Sequence, residues 1–132
     1  MILEAYYAGH TDRPAVVATA AELAAALDAV AALEGPQIVQ LWVDGDKTKP
    51  NLMVGLHGDR GILRYADADQ AFCSSGGEFS LPEWGEVIYY LATGEFEFPD
   101  DAELPDKDVR SAAFAFLASG GARPAGVAWA EE

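Results

Sequence analysis

The sequence has 132 residues, a length typical of one domain, and 51% of them are hydrophobic, which argues against a disordered chain. Its formal net charge of −14 comes from 8 Lys and Arg against 22 Asp and Glu. Nucleic acid and anionic membranes are therefore poor direct partners, because both bind basic surfaces. We recognise no signal peptide and no apolar stretch of membrane-spanning length, so we expect a cytoplasmic protein.

The first third of the chain predicts short strands followed by a helix. Residues 2–8 and 14–17 are β-prone runs. Thr19-Ala20-Ala21-Glu22 matches a capping box, in which the side chains of Thr19 and Glu22 satisfy backbone N–H groups at a helix start. Gly35-Pro36 ends this helix. Its apolar face consists of Leu23, Leu27 and Val30.

The middle of the chain predicts an antiparallel sheet. Residues 37–44 alternate in polarity, which places Val39, Leu41 and Val43 on a buried face and Trp42 on the opposite face. A tight turn at residues 58–61 predicts a hairpin. Four further strands are predicted, at residues 51–57, 62–66, 71–74 and 87–91.

The last third predicts a loop, a helix and a short terminal element. Residues 94–105 are acidic and contain two prolines, which favours a loop. A second helix is expected from Pro105 or Asp106 to Gly120-Gly121, with acids at its start that suit the helix dipole. Residues 127–129 form a strand or an extended tail. The apolar stripe of the helix consists of Val109, Ala112, Ala113 and Phe116.

Together these elements predict a single α+β domain over residues 1–132. Its architecture would be one mainly antiparallel sheet of five to six strands with two helices packed on one face. Two helices can cover one face of such a sheet, so the other face would be a docking platform or an ordinary solvated face. The residues expected on that open face are Gln40, Trp42, Met53, His57 and Arg64.

Negative charge is concentrated in one segment. Residues 65–106 contain no Lys, Arg or His but carry 11 of the 22 acidic residues. This pattern is typical either of an acidic solvated surface or of a patch that binds a basic protein at electrostatically steered rates.

Catalysis finds little support in the sequence. Cys73, the single cysteine, would need a nearby base, and the chain offers His10 and His57 without a recognisable signature. A lone cysteine in a strand is more often a small buried apolar residue, although a small hydrolase using Cys73 remains an alternative. Residues 44–47 begin like a calcium loop but lack its later Gly and Glu. We therefore expect a non-enzymatic protein without metal or cofactor.

Acidic loops and tryptophans are the candidate contact residues, because aromatic side chains among acids are typical of binding hot spots. Trp84 lies in such a loop, although it could equally fill the core, and Trp42 is a weaker candidate. Trp129 is more typical of a ring that pins the chain end to the core. The predicted contact residues are Asp67, Asp69, Glu78, Glu83, Trp84, Glu86 and Trp42.

Two stretches of the sequence resemble a known family. The first consists of Leu63-Arg64-Tyr65-Ala66-Asp67, Phe72 and Ser74-Ser75-Gly76. The second consists of Val109, Ala112-Ala113, Phe116-Leu117, Arg123-Pro124 and Val127-Ala128-Trp129. A helix rich in Phe, followed by Arg-Pro and a tryptophan near the end, resembles immunity protein family 1 of bacterial polymorphic toxin systems. The resemblance extends over residues 36–129.

This resemblance implies a non-catalytic protein that binds a cognate toxin domain and blocks its active site. The toxin would be a nucleic-acid (cytidine) deaminase, whose basic substrate groove an acidic surface can cover. We expect a monomer when free and a 1:1 complex with the toxin. The alternative is a regulatory or structural protein-binding module that self-associates through the exposed sheet face.

Overall fold

The computed structural model describes residues 2–83 and 85–132, and over these the chain forms two helices and ten strands. Most strands lie in one continuous path with the order β10-β6-β5-β4-β3-β1-β2, while β7, β8 and β9 join the same sheet beside it. The elements in chain order are β1 (Leu3–Tyr6), β2 (Ala15–Val17), α1 (Ala20–Ala31), β3 (Gln37–Val43), β4 (Asn51–His57), β5 (Arg60–Ala66), β6 (Ala71–Ser74), β7 (Val87–Leu91), β8 (Gly94–Phe98), β9 (Leu104–Pro105), α2 (Asp106–Ser119) and β10 (Trp129–Glu131).

Both helices lie on one face of the sheet, which confirms that part of the prediction. The predicted capping box starts α1: the Thr19 hydroxyl accepts the N–H of Glu22 at 3.1 Å, and the Glu22 carboxylate accepts the N–H of Thr19 at 3.1 Å. Helix α2 ends directly before Gly120. The predicted apolar stripes of both helices pack against the face of β3 that carries Val39, Leu41 and Val43.

The predicted number of five to six strands is wrong, because residues 2–83 and 85–132 contribute ten strands to one sheet. The prediction of a loop over residues 94–105 is also wrong, since this segment contains β8 and β9. Strand β8 alternates in burial: Glu95 and Glu97 are exposed, whereas Phe96 is half-buried and Phe98 is buried. A strand tolerates acids on alternate residues when these face solvent, so the acidity of this segment did not exclude a strand.

The second face of the sheet is partly covered, contrary to the expected open face. The β7–β8 hairpin lies over it and builds a second apolar cluster in which Met53 packs with Ile38, Ile62 and Tyr89. Gly55 permits this packing, because a Cβ atom there would lie 2.6 Å from the Tyr89 ring. Met53 was expected on the open face and is 5% exposed.

The other residues expected on that face keep contact with solvent. His57 is exposed, while Gln40, Trp42 and Arg64 are half-buried. The uncovered part of the face is therefore smaller than predicted and lies beside the hairpin.

The C-terminal segment is held on the core, which agrees with the prediction that the Trp129 ring pins the chain end there. Strand β10 pairs with β6, and the Trp129 indole N–H donates to the carbonyl of Pro124 at 3.0 Å. The ring of Trp129 meets the ring of Tyr65 edge-on, with 6.4 Å between the ring centroids. In the part of the chain that the structure describes, no helix is both long and apolar enough to cross a bilayer.

Candidate protein-binding surface

The turn between β5 and β6 carries the first two predicted contact residues. The Asp67 carboxylate accepts the backbone N–H groups of Asp69 at 2.9 Å and Gln70 at 2.8 Å, and these bonds hold the pKa of Asp67 below its ordinary value. Asp67 therefore also shapes the turn. Asp69 is exposed beside it, so the turn presents two carboxylates to solvent.

Trp42 lies near this turn. The register pairs Trp42 with Asn51, Asn51 with Ala66 and Ala66 with Ala71, so these four residues form one row across four strands. The turn that follows Ala66 is thus at the same end of the sheet as Trp42, two strands or about 10 Å away.

The face of the Trp42 ring is occupied by the chain's own cation. The Lys47 ammonium lies 4.0 Å from the ring centroid of Trp42 and 4.3 Å from that of Tyr6. Burial against these rings lowers the pKa of Lys47, while the nearby Glu4 carboxylate raises it. A partner that contacts Trp42 must therefore approach its edge or displace Lys47.

The remaining predicted contact residues lie on the segment between β6 and β7. Glu78, Glu83 and Glu86 are all exposed there. Trp84 lies outside the described residues. The segment is anchored at its start, where the N–H of Gly76 donates to the Asp101 carboxylate at 3.0 Å.

Gly77 brings the same segment against the backbone before β9. Its N–H donates to the Asp101 carbonyl at 2.8 Å, and a Cβ atom at Gly77 would collide with the Glu103 carbonyl. The Gly76-Gly77 pair is therefore the point at which the acidic segment between β6 and β7 contacts the acidic segment before β9.

The structure does not bring all the predicted contact residues together. Glu86 borders a cavity of about 90 Å³ that His57 and Arg60 also line, so it lies at the end of the sheet where β4 turns into β5. Glu78 borders a separate groove next to Pro105, which pairs with Arg60 at that same end. Asp67, Asp69 and Trp42 lie at the opposite end. Two acidic regions thus flank the sheet.

Few of the acids in residues 65–106 form an ion pair with a basic side chain in the described part of the chain. Of the 11 acids in residues 65–106, Glu103 and Asp106 are the ones that form ion pairs among the described residues. The basic side chains are largely engaged elsewhere. Ion pairs hold Lys49, Arg60, Arg64 and Arg110, and aromatic rings lie beneath Lys47 and Arg123.

Glu103 is a buried acid that the sequence did not single out. The residue is 7% exposed, and its carboxylate accepts the Tyr89 hydroxyl at 2.7 Å while the Arg60 guanidinium lies 3.9 Å away. Burial and the bond to this carboxylate both raise the pKa of Tyr89. The signal in the sequence was Tyr89 itself, because a tyrosine in a buried strand requires a partner for its hydroxyl.

Cys73 lacks the surroundings of a nucleophile. It is buried in the second apolar cluster, and its thiol donates to the Glu132 carboxylate at 3.2 Å. Burial, followed by this carboxylate, raises its pKa to about 12, so the thiol is protonated at neutral pH. Over residues 2–83 and 85–132, no group of three or more His, Cys, Asp or Glu is placed to hold a metal ion.

A comparison with family models matches residues 11–131 to Imm1, immunity protein Imm1. The match spans most of the chain, which therefore belongs to the Imm1 family. It confirms the resemblance found over residues 36–129 and extends it toward the N-terminus, over β2 and α1. No curated relative matches the sequence.

Proposed function

We propose that this protein neutralises a cognate toxin by binding it through the two acidic regions. Membership of the Imm1 family supports an immunity function. The observation that carries the mode of binding is the set of nine acids in residues 65–106 that form no ion pair among the described residues. Such a surface attracts a basic protein and accelerates its association.

The toxin that fits this surface best acts on nucleic acid, and we propose a cytidine deaminase. An enzyme of this class needs a basic groove for the phosphate backbone. Exposed carboxylates can occupy that groove in place of phosphates and so exclude the substrate. The complex would be 1:1 and would form in the cytoplasm.

Self-association through the open sheet face, the alternative function, loses part of its basis in the structure. The β7–β8 hairpin covers Met53, the apolar residue at the centre of that face. The apolar residues that stay accessible there include Val16 on β2, which is 58% exposed, and Trp42, whose ring face Lys47 occupies. The other accessible residues expected on that face, Gln40, His57 and Arg64, are polar or charged.

Co-expression with a candidate toxin domain taken from the neighbouring genes tests neutralisation directly. Survival of a sensitive host should depend on this protein, and the two chains should co-purify at low salt. Assays of deamination and of strand cleavage by the isolated toxin domain then identify the chemistry that is blocked. Absence of both rescue and complex would refute the proposal.

Charge reversal in each acidic region tests the mode of binding. We expect Asp67→Lys and Glu83→Lys each to slow association about tenfold at low salt. At 1 M salt the difference should vanish, because the Debye length falls to about 3 Å. Asp12→Lys is the matched control, since Asp12 is exposed but lies outside the acidic run. If both test variants associate at the rate of this control, the chosen surface is wrong.

A further inference from the structure

We propose that the toxin docks on the free edge of β8 by adding a strand of its own that carries basic residues. This inference rests on the proposed function and adds a main-chain contact on β8 to the two acidic regions through which the toxin is bound. It follows from the hydrogen-bond pattern of the β7–β8 hairpin, from the charges on its outer face and from the cleft beside it.

The hydrogen-bond pattern turns the backbone of Glu95 and Glu97 toward the free edge. A two-residue turn joins Leu91 to Gly94, and this closing pair exchanges hydrogen bonds. Along an antiparallel ladder, residue pairs that exchange hydrogen bonds alternate with pairs that do not. Glu95 and Glu97 therefore belong to the pairs that do not exchange hydrogen bonds with β7. Tyr90 is the residue opposite Glu95, and its N–H donates away from β8 to the Pro36 carbonyl at 3.0 Å. This bond agrees with a Tyr90–Glu95 pair that exchanges no hydrogen bonds.

These edge groups have no partner in the described part of the chain. Strand β8 pairs there with β7 alone, and neither Glu95 nor Glu97 takes part in any other hydrogen bond. Two N–H and two C=O groups are thus presented in the spacing that an incoming strand requires. Main-chain pairing of this kind is a general way in which an exposed sheet edge binds another protein.

The side chains of the hairpin select a basic strand. Glu95 and Glu97 lie on the outer face with their cross-strand neighbours Tyr90 and Ile88, and Tyr90 is 36% exposed. Opposite charges directly across two strands stabilise the pair, and like charges destabilise it. A second copy of β8 would bring acid against acid, whereas Lys or Arg on a toxin strand would complement both carboxylates.

The space beside the edge can receive the other side chains of an added strand. A cleft of about 310 Å³ lies between β8 and the Arg64–Glu132 ion pair. Its other lining residues are Phe96, Glu97 and Phe98 of β8 and Cys73. Because side chains alternate along a strand, those of the toxin strand that do not meet Glu95 and Glu97 would point into this cleft.

The test combines a proline variant with its matched control. Glu97→Ala removes the carboxylate and keeps the N–H, whereas Glu97→Pro removes both, and an edge strand tolerates proline where its N–H faces solvent. With the toxin domain that this protein neutralises in the co-expression test, we expect Glu97→Pro to bind about tenfold more weakly than Glu97→Ala, the effect of one lost hydrogen bond. Circular dichroism and thermal melting check that both variants fold.

Amide hydrogen exchange on the unmodified chain gives an independent readout. The amides of Glu95 and Glu97 should exchange rapidly in the free protein and become protected in the complex. Equal binding of the two variants, or unprotected amides in a complex that forms, overturns the edge proposal alone. Protection that rises with the concentration of this chain without toxin also overturns it, since a second copy would then occupy the edge. If the unmodified chain fails to bind or neutralise the toxin domain, the proposed function fails as well.

Discussion

The bond between Tyr89 and Glu103 should fix the β7–β8 hairpin to the segment that precedes β9, and Tyr89→Phe tests it. The substitution removes one hydroxyl and leaves the ring in place over Gly55. Both partners are almost fully buried, at 1% and 7% exposure, and the donor–acceptor distance is 2.7 Å. After the change, the nearest remaining charge partner of Glu103 is the guanidinium of Arg60 at 3.9 Å.

The expected loss in the free energy of unfolding follows from the negative charge of the hydrogen-bond acceptor, the Glu103 carboxylate. A hydrogen bond to a charged group contributes about 1.5–3 kcal/mol, because its loss leaves a buried carboxylate oxygen without its hydrogen-bond donor. Taking about 2 kcal/mol, the melting temperature of a chain of this length should fall by about 7 °C. Thermal and urea unfolding followed by circular dichroism measure both quantities.

Tyr90→Phe is the control for this prediction. Tyr90 is the next residue in the same strand, and its side chain is exposed. Its substitution should change the free energy of unfolding by less than about 0.5 kcal/mol. If Tyr89→Phe is no more destabilising than Tyr90→Phe, the hairpin is not held by Glu103, and the assignment of this carboxylate as its anchor is wrong.

Two further predictions concern the same side of the sheet. Gly55→Ala should destabilise the protein by about 1–3 kcal/mol in urea unfolding, because the added methyl group would overlap the Tyr89 ring; a stability equal to that of the unmodified chain would contradict this packing. The Cys73 thiol, with its pKa raised to about 12, should react with a thiol reagent at pH 8 only after unfolding. The folded state holds this proton more tightly than the unfolded state, so its contribution to stability should be lost as pH rises above the ordinary value of 9.0. Rapid labelling of the native protein would show that the thiol is accessible.

The helices and the central strands were predictable because each had a local signal. The capping box fixed the start of α1, and the alternation of residues 37–44 fixed which side of β3 is buried. The edges of the sheet were harder to predict. Strand β9 has two residues, and its pairing with Gly61 is a tertiary contact that leaves no periodic pattern in the sequence.

The candidate site was predictable in composition but not in arrangement. The charge count identified the acidic run without showing that Asp67 and Glu86 lie at opposite ends of the sheet, since that separation depends on strand register. The sequence also did not predict that the Trp42 ring is occupied, because Lys47 contacts it from the loop after β3. Both features are products of tertiary structure rather than of local sequence.

The alternation of β8 links stability to recognition. Phe96 and Phe98 face the second apolar cluster and hold the hairpin on the sheet, while Glu95 and Glu97 face away from it. Acidic residues on an edge strand discourage pairing between identical copies, because the like charges would meet. The same charges favour a basic partner strand. In our proposal, one five-residue segment therefore closes the core, disfavours pairing between identical copies and leaves an edge that a strand of complementary charge can extend.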